Sequence, residues 1–107
     1  MSRGRQYVLV LLKQGTNQSL DSAAVVAYQE KHLMNLFMLK QQGKLPLFGP
    51  IAEESTLRGI CIFNVADKAA ARKLIEADPF VKSGALAYEI YDWFGLPGDV
   101  LPAEKKK

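Results

Sequence analysis

The stretch that decides the fold is Tyr7-Val8-Leu9-Val10-Leu11-Leu12, a run of six apolar residues near the start of the chain. Short runs rich in β-branched, aromatic and aliphatic residues predict a β-strand. Successive side chains of a strand point to opposite faces of its sheet. A run without a polar residue therefore predicts a strand that is covered on both faces. It is also far too short to cross a membrane.

A long helix is predicted after this strand. The polar loop Gly15–Ser19 comes first, Asp21 or Ser22 can provide the N-cap, and Gly43 provides a stop after about Gln42. Between these signals apolar residues recur at spacings of three and four, which is the period of a helix with one buried face. That face is predicted to contain Val25, Tyr28, His32, Leu33, Leu36, Phe37 and Leu39.

The remaining elements follow from patterns of the same kind. Gly49-Pro50 is expected to end a short strand, and Asp67 is expected to cap a second helix. Pro79 then ends this helix, because proline disfavours helical geometry in the residue before it. The predicted elements are strands at Leu45–Phe48, Arg58–Val65 and Ala85–Phe94 and a helix at Lys68–Ala77.

The element order β-α-β-β-α-β predicts one α+β domain, with a core at about residues 7–95 and a charged tail at residues 103–107. The first and third strands are apolar on both faces and should be central, whereas Glu89 and Asp92 mark the fourth strand as an edge. Right-handed crossovers then favour the ferredoxin-like antiparallel order 4-1-3-2. Two helices cover only one face of such a sheet, so we expect a homodimer that covers the other.

The charge of the chain argues against a nucleic-acid partner. The net charge of +3 arises at the ends, because Arg3, Arg5 and residues 105–107 supply five of the 14 basic residues, and Glu104 supplies one of the 11 acidic ones. Residues 6–102 therefore carry about −1. A nucleic-acid-binding domain concentrates basic residues on a folded face. We expect neither a nucleic-acid nor a membrane partner.

The single cysteine and the lack of metal-binding and phosphate-binding motifs limit the classes of protein to which this chain can belong. Cys61 is the only cysteine, so no intramolecular disulfide can form, and we expect a cytoplasmic protein. A buried thiol in a strand is usually inert packing. One His, one Cys and scattered carboxylates make no recognisable metal set, and Gly95-Leu96-Pro97-Gly98 lacks the helix that a phosphate-binding loop needs. We expect no metal and no cofactor.

His32 and Asp78 are the candidate catalytic residues. His32 is the only histidine and is predicted on the apolar face of the first helix, where a partly buried imidazole suits a general base. A core histidine satisfied by one hydrogen bond is the alternative. Asp78 ends the second helix, where it can accept local backbone hydrogen bonds or can reach and orient His32. The sequence leaves both alternatives open.

Four other residues are candidates for substrate binding. Arg58 can hold a carboxylate bidentately or can pair with Glu53 or Glu54 at the surface. Aromatic side chains at strand ends can wall an apolar pocket or belong to the core. The aromatic candidates are Phe48, Trp93 and Phe94.

The chain resembles the YCII-related family. The resemblance spans roughly residues 7–95 and rests on several short motifs taken together. They are Tyr28-Gln29-Glu30-Lys31-His32-Leu33, Gln42-Gly43-Lys44-Leu45, Gly49-Pro50, Leu57-Arg58-Gly59-Ile60 and Asp78-Pro79-Phe80. The resemblance implies a dimeric α+β barrel of two ferredoxin-like sheets. It also implies a catalytic pair that corresponds to His32 and Asp78, and it adds Gly49 and Pro50 to the candidate substrate-binding residues.

Some members of that family are dehydrochlorinases or lactone-processing enzymes. We therefore expect a small cofactor-free lyase or isomerase, in which His32 removes a proton from a small organic acid or cyclic compound and Asp78 orients His32. The alternative is a non-catalytic dimeric module that binds a small molecule or a protein. A solvent-reachable His32 in a cavity would favour the enzyme, and a sealed His32 without a cavity would favour the module.

Overall fold

The run at Tyr7–Leu12 lies in the middle of the first strand. The structure, a computed structural model, describes residues 4–104. Its strands are β1 (Arg5–Gln14), β2 (Leu47–Pro50), β3 (Leu57–Phe63) and β4 (Leu86–Gly95), and its helices are α1 (Ser22–Gln41), α2 (Lys68–Glu76) and α3 (Pro79–Lys82).

The four strands form one antiparallel sheet. Its spatial order is β2-β3-β1-β4, which is the order 4-1-3-2 read from the opposite edge. β1 and β3 are therefore the central strands. β1 pairs with β4 along its whole length, from Arg5 opposite Gly95 to Gln14 opposite Leu86.

One face of the sheet packs against the helices and is called the helix-covered face here. Val8, Val10 and Leu12 of β1 lie on it and are at most 4% exposed, because every second side chain of a strand points to the same face. Together with residues of β3, α1 and α2 they form the hydrophobic core. The core consists of Val8, Val10, Leu12, Leu36, Leu39, Leu45, Cys61, Phe63, Ala71 and Ile75.

The capping residues set the bounds of α1 as predicted. Asp21 is the N-cap, and its side chain accepts a hydrogen bond from the backbone N–H of Ala24 at 2.8 Å. Gly43 follows the helix with a φ of 78°, a conformation that glycine adopts without strain. The buried face of α1 is narrower than predicted. Its buried residues are His32, Leu36 and Leu39, whereas Val25, Leu33 and Phe37 are exposed.

The predicted bounds of the second strand are wrong. β2 covers Leu47–Pro50 rather than Leu45–Phe48, so Gly49 and Pro50 lie inside the strand. An edge strand tolerates proline, because it pairs on one side only and the missing N–H can face away from its neighbour. β3 and β4 begin and end within two residues of the predicted positions.

Pro79 does more than end the second helix. α2 ends at Glu76, and Pro79 is the first residue of α3, a helix that the sequence patterns did not predict. Proline suits this position, because its φ is already helical and its missing N–H would have no partner there. Asp78 is the N-cap of α3. The structure therefore has three helices rather than two.

The opposite face of the sheet, called the open face here, carries no helix. Strand alternation and register place mostly apolar side chains on it. The largest are Tyr7, Leu9, Leu11, Ile60, Ile62, Tyr91 and Trp93. One ion pair interrupts them, with Lys13 Nζ 2.8 Å from a carboxylate oxygen of Glu89.

Residues 96–104, which follow β4, have no regular secondary structure. Ala103 and Glu104 are exposed, and the rest of the predicted tail, residues 105–107, lies outside the described residues. Within residues 4–104, none of the helices has the length and apolar character that a membrane crossing requires.

The open face predicts a homodimer in which two sheets pack face to face. The interface should exceed roughly 1,000 Å². Leu9→Glu puts a carboxylate in the middle of this face, where its desolvation would oppose association. We expect the dimer to dissociate at least about 10-fold more readily, as measured by light scattering during size-exclusion chromatography over a dilution series.

Met34→Glu is the matched control, because it adds the same charge at an exposed apolar position on α1. This variant should dimerise like the wild type. A wild-type chain that has the mass of one copy at micromolar concentration would contradict the prediction.

Candidate functional site

α1 and α3 bring His32 and Asp78 together although 46 residues separate them in the chain. His32 Nδ1 lies 2.7 Å from Asp78 Oδ2. His32 is 8% exposed and Asp78 is 0% exposed. The pair is therefore buried, and its geometry is that of one direct hydrogen bond.

The Asp78 carboxylate accepts hydrogen bonds at both oxygens. Oδ2 accepts from His32 and from Asn35 Nδ2, which is 3.1 Å away. Oδ1 accepts from the backbone N–H groups of Phe80 and Val81, at 2.9 Å and 3.4 Å. The last two bonds exist because Asp78 is the N-cap of α3. A single side chain thus caps one helix and holds a residue of another.

These bonds determine the protonation of the pair. Burial raises the pKa of Asp78, but the hydrogen bond and charge of His32 and the bonds from Asn35 and Phe80 outweigh it, so the pKa lies below its usual value. An ionised carboxylate has no proton to donate, so Nδ1 of His32 must carry the hydrogen of the shared bond. In the neutral ring, Nε2 then bears the free lone pair.

The second ring nitrogen of His32, Nε2, is not sealed in the core. It has no hydrogen-bond partner, yet no side-chain nitrogen or oxygen within residues 4–104 is both buried and unpartnered. Nε2 must therefore be reachable by solvent, and His32 lines the cavity. The ring of Phe80 meets the His32 ring edge-on, with the centroids 5.9 Å apart, and so restricts the orientation of the imidazole.

The cavity lies between α1 and the helix-covered face of the sheet. Its volume is about 580 Å³, within the range of roughly 300–1,000 Å³ that is usual for small-molecule sites. Val25 and Leu36, the first and last α1 residues in the lining, are ~16 Å apart along the helix axis. The apolar part of the wall includes Leu12, Leu33, Leu36, Phe48 and Phe80, and the polar part includes Gln14, Asn17, Gln18, Gln29, His32 and Arg58.

Four of the six predicted substrate-binding residues reach this cavity. Phe48, Gly49 and Pro50 of β2 and Arg58 of β3 are in its lining. Neither Glu53 nor Glu54 pairs with Arg58, since the only ion pairs in the described part of the chain are Lys13–Glu89 and His32–Asp78. The roles of these residues in binding stay predictions.

Trp93 and Phe94 do not line the cavity, so the expectation that they wall it does not hold for this pocket. The cavity meets β4 at Leu86, and Trp93 lies seven residues further, or ~24 Å along an extended strand. Trp93 contacts the ring of Tyr7 on the open face, with centroids 6.1 Å apart.

Cys61 also lines the cavity but is poorly suited to nucleophilic chemistry. Its side chain is fully buried, and burial, reinforced by the charge of Asp78, raises its pKa to about 12. The thiolate is the nucleophilic form of cysteine. Cys61 therefore stays protonated at neutral pH and acts as core packing. Among residues 4–104, no three His, Cys, Asp or Glu side chains cluster so that they could hold a metal ion.

Asn35 is the member of the site that the sequence patterns missed. It lies three residues after His32 on α1, and residues at this spacing share a helix face. That spacing was available as a signal, but asparagine in a helix usually faces solvent. Its amide donates to the same Asp78 oxygen as His32, so it helps to fix the carboxylate that orients the imidazole.

The comparisons with known proteins identify the family of this chain. The model of the YCII-related domain matches residues 7–94, which is most of the chain. The chain belongs to the YCII-related family. The resemblance seen in its motifs is thus confirmed. No curated protein matches this YCII-related chain in sequence.

A solved structure shares the fold of this YCII-related chain. It is 5-chloro-2-hydroxyhydroquinone dehydrochlorinase from Burkholderia phenoliruptrix AC1100 in complex with 2,5-dihydroxybenzoquinone. The TM-score is 0.60 at 19% sequence identity, over 80% of this chain and 92% of that one. At this identity the likeness establishes the fold alone.

The lowered pKa of Asp78 predicts how stability depends on pH. A carboxyl whose folded pKa lies below its unfolded value stabilises the fold above the unfolded pKa, about 4 for Asp, and this stabilisation is lost as the pH falls through the folded pKa. Asp78→Asn should therefore unfold at least about 5 °C below the wild type at pH 6. The difference should shrink below about pH 4, as measured by circular dichroism melts.

Asp67→Asn is the matched control. Asp67 caps α2 by accepting from Ala70 at 2.9 Å, but it is exposed and does not contact a histidine. Its substitution should change the melting temperature little at any pH. A difference between wild type and Asp78→Asn that is constant from pH 6 to pH 3 would mean that the carboxylate charge contributes nothing.

The tautomer of His32 gives a second test of the pair. His32 is the only histidine, so an untagged chain with ¹⁵N-labelled histidine yields one imidazole spectrum. We expect the neutral ring to carry its proton on Nδ1, since Asp78 accepts there. Asp78→Asn introduces an amide that can donate to Nδ1, so the Nε2–H tautomer should increase. An Nε2–H tautomer in the wild type would contradict the assignment.

Proposed function

We propose that this YCII-related protein is a small cofactor-free enzyme of the lyase or isomerase type. His32 is the general base, and it acts through Nε2 on a small organic acid or cyclic compound bound in the cavity. Asp78 orients the imidazole and balances its positive charge after proton transfer. A general base must reach the proton that it removes, and an open Nε2 in a cavity of this size meets that requirement.

The observation that carries the proposal is the opposite surroundings of the two nitrogens of His32. Nδ1 is bound to a buried carboxylate at 2.7 Å, whereas Nε2 is left without a protein partner on a residue that lines the cavity. A core histidine kept for packing has no need of an open nitrogen beside a cavity of about 580 Å³. An aspartate behind the imidazole holds the productive tautomer and stabilises the imidazolium without taking the proton.

The chemistry that this arrangement supports is proton transfer at carbon. Nε2 takes a proton from a carbon next to a carbonyl group, and the electron pair of the broken C–H bond forms an enolate. In an isomerase the imidazolium returns the proton to a different atom of the substrate. In a lyase the enolate expels a leaving group from the adjacent carbon, and the proton passes to solvent. Both courses leave the imidazole neutral at the end.

The walls of the cavity support a compact substrate with an apolar body. Leu33, Leu36, Phe48 and Phe80 are in the lining, and flat apolar and aromatic walls favour rings. The dehydrochlorinase with the same fold has 2,5-dihydroxybenzoquinone, a small planar ring, in its complex. This neighbour makes cyclic carbonyl compounds the first class to test.

The alternative function is a non-catalytic module that binds a small molecule. The cavity alone would suit that function equally well. The enzyme is favoured because the module gives no reason for an ionised Asp78 behind an open His32 nitrogen. The two functions differ in one measurable respect, since only the enzyme exchanges protons with its ligand.

Hydrogen–deuterium exchange tests the proposal without knowledge of the natural substrate. The protein would be incubated in D₂O with a panel of cyclic ketones, lactones and small keto acids, and loss of the carbon-bound proton would be followed by ¹H NMR. We expect exchange with at least one compound class. His32→Gln should reduce its rate by about 10²–10⁴-fold, the usual contribution of a general base.

Lys31→Ala is the control on the same helix, because Lys31 is exposed and does not line the cavity. It should exchange like the wild type. A His32→Gln protein with the wild-type rate would show that another group is the base. Binding without exchange across the whole panel would instead support the binding module.

A further inference from the structure

A β-bulge interrupts the pairing of the two central strands beside the cavity. Leu12 of β1 lies opposite Gly59 of β3, but the next residue, Lys13, lies opposite Leu57. Arg58 is therefore an extra residue that has no partner on β1. Bulges change the direction in which a side chain leaves the sheet, and they occur often beside active sites.

The bulge changes the face to which Arg58 belongs. In a regular strand Arg58 would share the open face with Ile60, since side chains alternate. Instead the Arg58 guanidinium donates to Gln14, which lies on the helix-covered face, and Arg58 lines the cavity. Backbone hydrogen bonds hold the irregular segment on both sides, from Ile51 N–H to the Arg58 carbonyl at 2.8 Å and from Gln14 N–H to the Thr56 carbonyl at 2.7 Å.

The guanidinium of Arg58 is held in place by neutral acceptors. One Nη donates to the Ser55 carbonyl and the other to Gln14 Oε1, each at 2.9 Å. A guanidinium carries five N–H donors. Two of them are used here, so three remain. Gln14 itself lines the cavity, as the last residue of β1 on the helix-covered face.

The positive charge of Arg58 has no counter-ion among residues 4–104. The ion pairs found there are those of Lys13 and His32, and neither involves Arg58. A cation that is oriented, has free donors and borders a cavity is suited to a carboxylate, which guanidinium groups bind through two parallel hydrogen bonds.

We propose that Arg58, oriented by Gln14, binds the carboxylate of an organic acid whose apolar body occupies the cavity. This narrows the substrate from cyclic compounds in general to carboxylic acids that have a flat or cyclic apolar body. The body packs against Phe48 and Leu33, and the reacting carbon faces Nε2 of His32. The position of the reacting carbon rests on the proposed function, whereas anion binding by Arg58 does not.

Two probes of equal shape and different charge test the assignment. 2-Naphthoate and 2-naphthamide would be titrated separately into the full chain, with binding followed by ¹H–¹⁵N NMR. Arg58→Gln should weaken naphthoate binding at least about 10-fold, because it removes charge-assisted hydrogen bonds. It should change naphthamide binding by no more than about 2-fold. Arg58→Lys keeps the charge but not the paired donors and should give an intermediate loss.

Arg72→Gln is the matched control, since it removes the same charge from an exposed position on α2 outside the cavity lining. It should leave both affinities unchanged. Three results would overturn the assignment: equal weakening of both probes by Arg58→Gln, unchanged naphthoate binding in that variant, or no saturable naphthoate binding by the wild type.

His32→Gln separates this assignment from the proposed function. If both hold, this variant loses proton exchange, and adding Arg58→Gln to it weakens naphthoate binding further. If exchange persists in His32→Gln while Arg58→Gln loses the anion, the general base is wrong and the carboxylate site stands. If exchange depends on His32 but Arg58→Gln binds both probes normally, the carboxylate site is wrong and the general base stands.

Discussion

The buried carboxylate of Asp78 is the constraint on which the site depends. It is fully buried, and both its oxygens accept hydrogen bonds, from two side chains of α1 and from two backbone N–H groups of α3. A buried charge is tolerated only when its hydrogen bonds are satisfied. The position of α3 against α1 and the orientation of the His32 ring are therefore determined together.

Different local features position Asp78, which binds His32 behind the cavity lining, and Arg58, which lies in the lining. Asp78 sits at a helix N-terminus, where an aspartate is favoured as a cap, and it reaches His32 from the neighbouring helix. Arg58 is turned toward the cavity by a bulge in a central strand. The N-cap of α3 and the bulge in β3 both belong to rigid elements rather than to long loops. Side chains on rigid elements are placed more precisely than side chains on loops. The cavity between them is bounded by packed apolar residues.

The cavity and the open face lie on opposite sides of the same sheet. β1 serves both, since Val8, Val10 and Leu12 belong to the core whereas Leu9 and Leu11 belong to the open face. A strand that is apolar on both faces is typical of a sheet that is covered on both faces. Helices cover one face of the chain, and a second copy of the chain suits the other. The candidate site thus lies on the helix-covered side of the sheet.

Apart from α3, the sequence by itself determined the order of the elements. It also determined where α1 begins and ends, the central position of β1 and β3, and His32 on the buried stripe of α1. These features follow from local periodicity and capping chemistry, which act within a few residues. Only the tertiary structure decided that His32 and Asp78 touch across 46 residues, that Arg58 turns toward the cavity, and that Trp93 and Phe94 lie away from it. Such contacts depend on strand register and helix packing. A bulge of one residue moves a side chain to the other face of the sheet, and no local sequence pattern around Arg58 predicted this bulge.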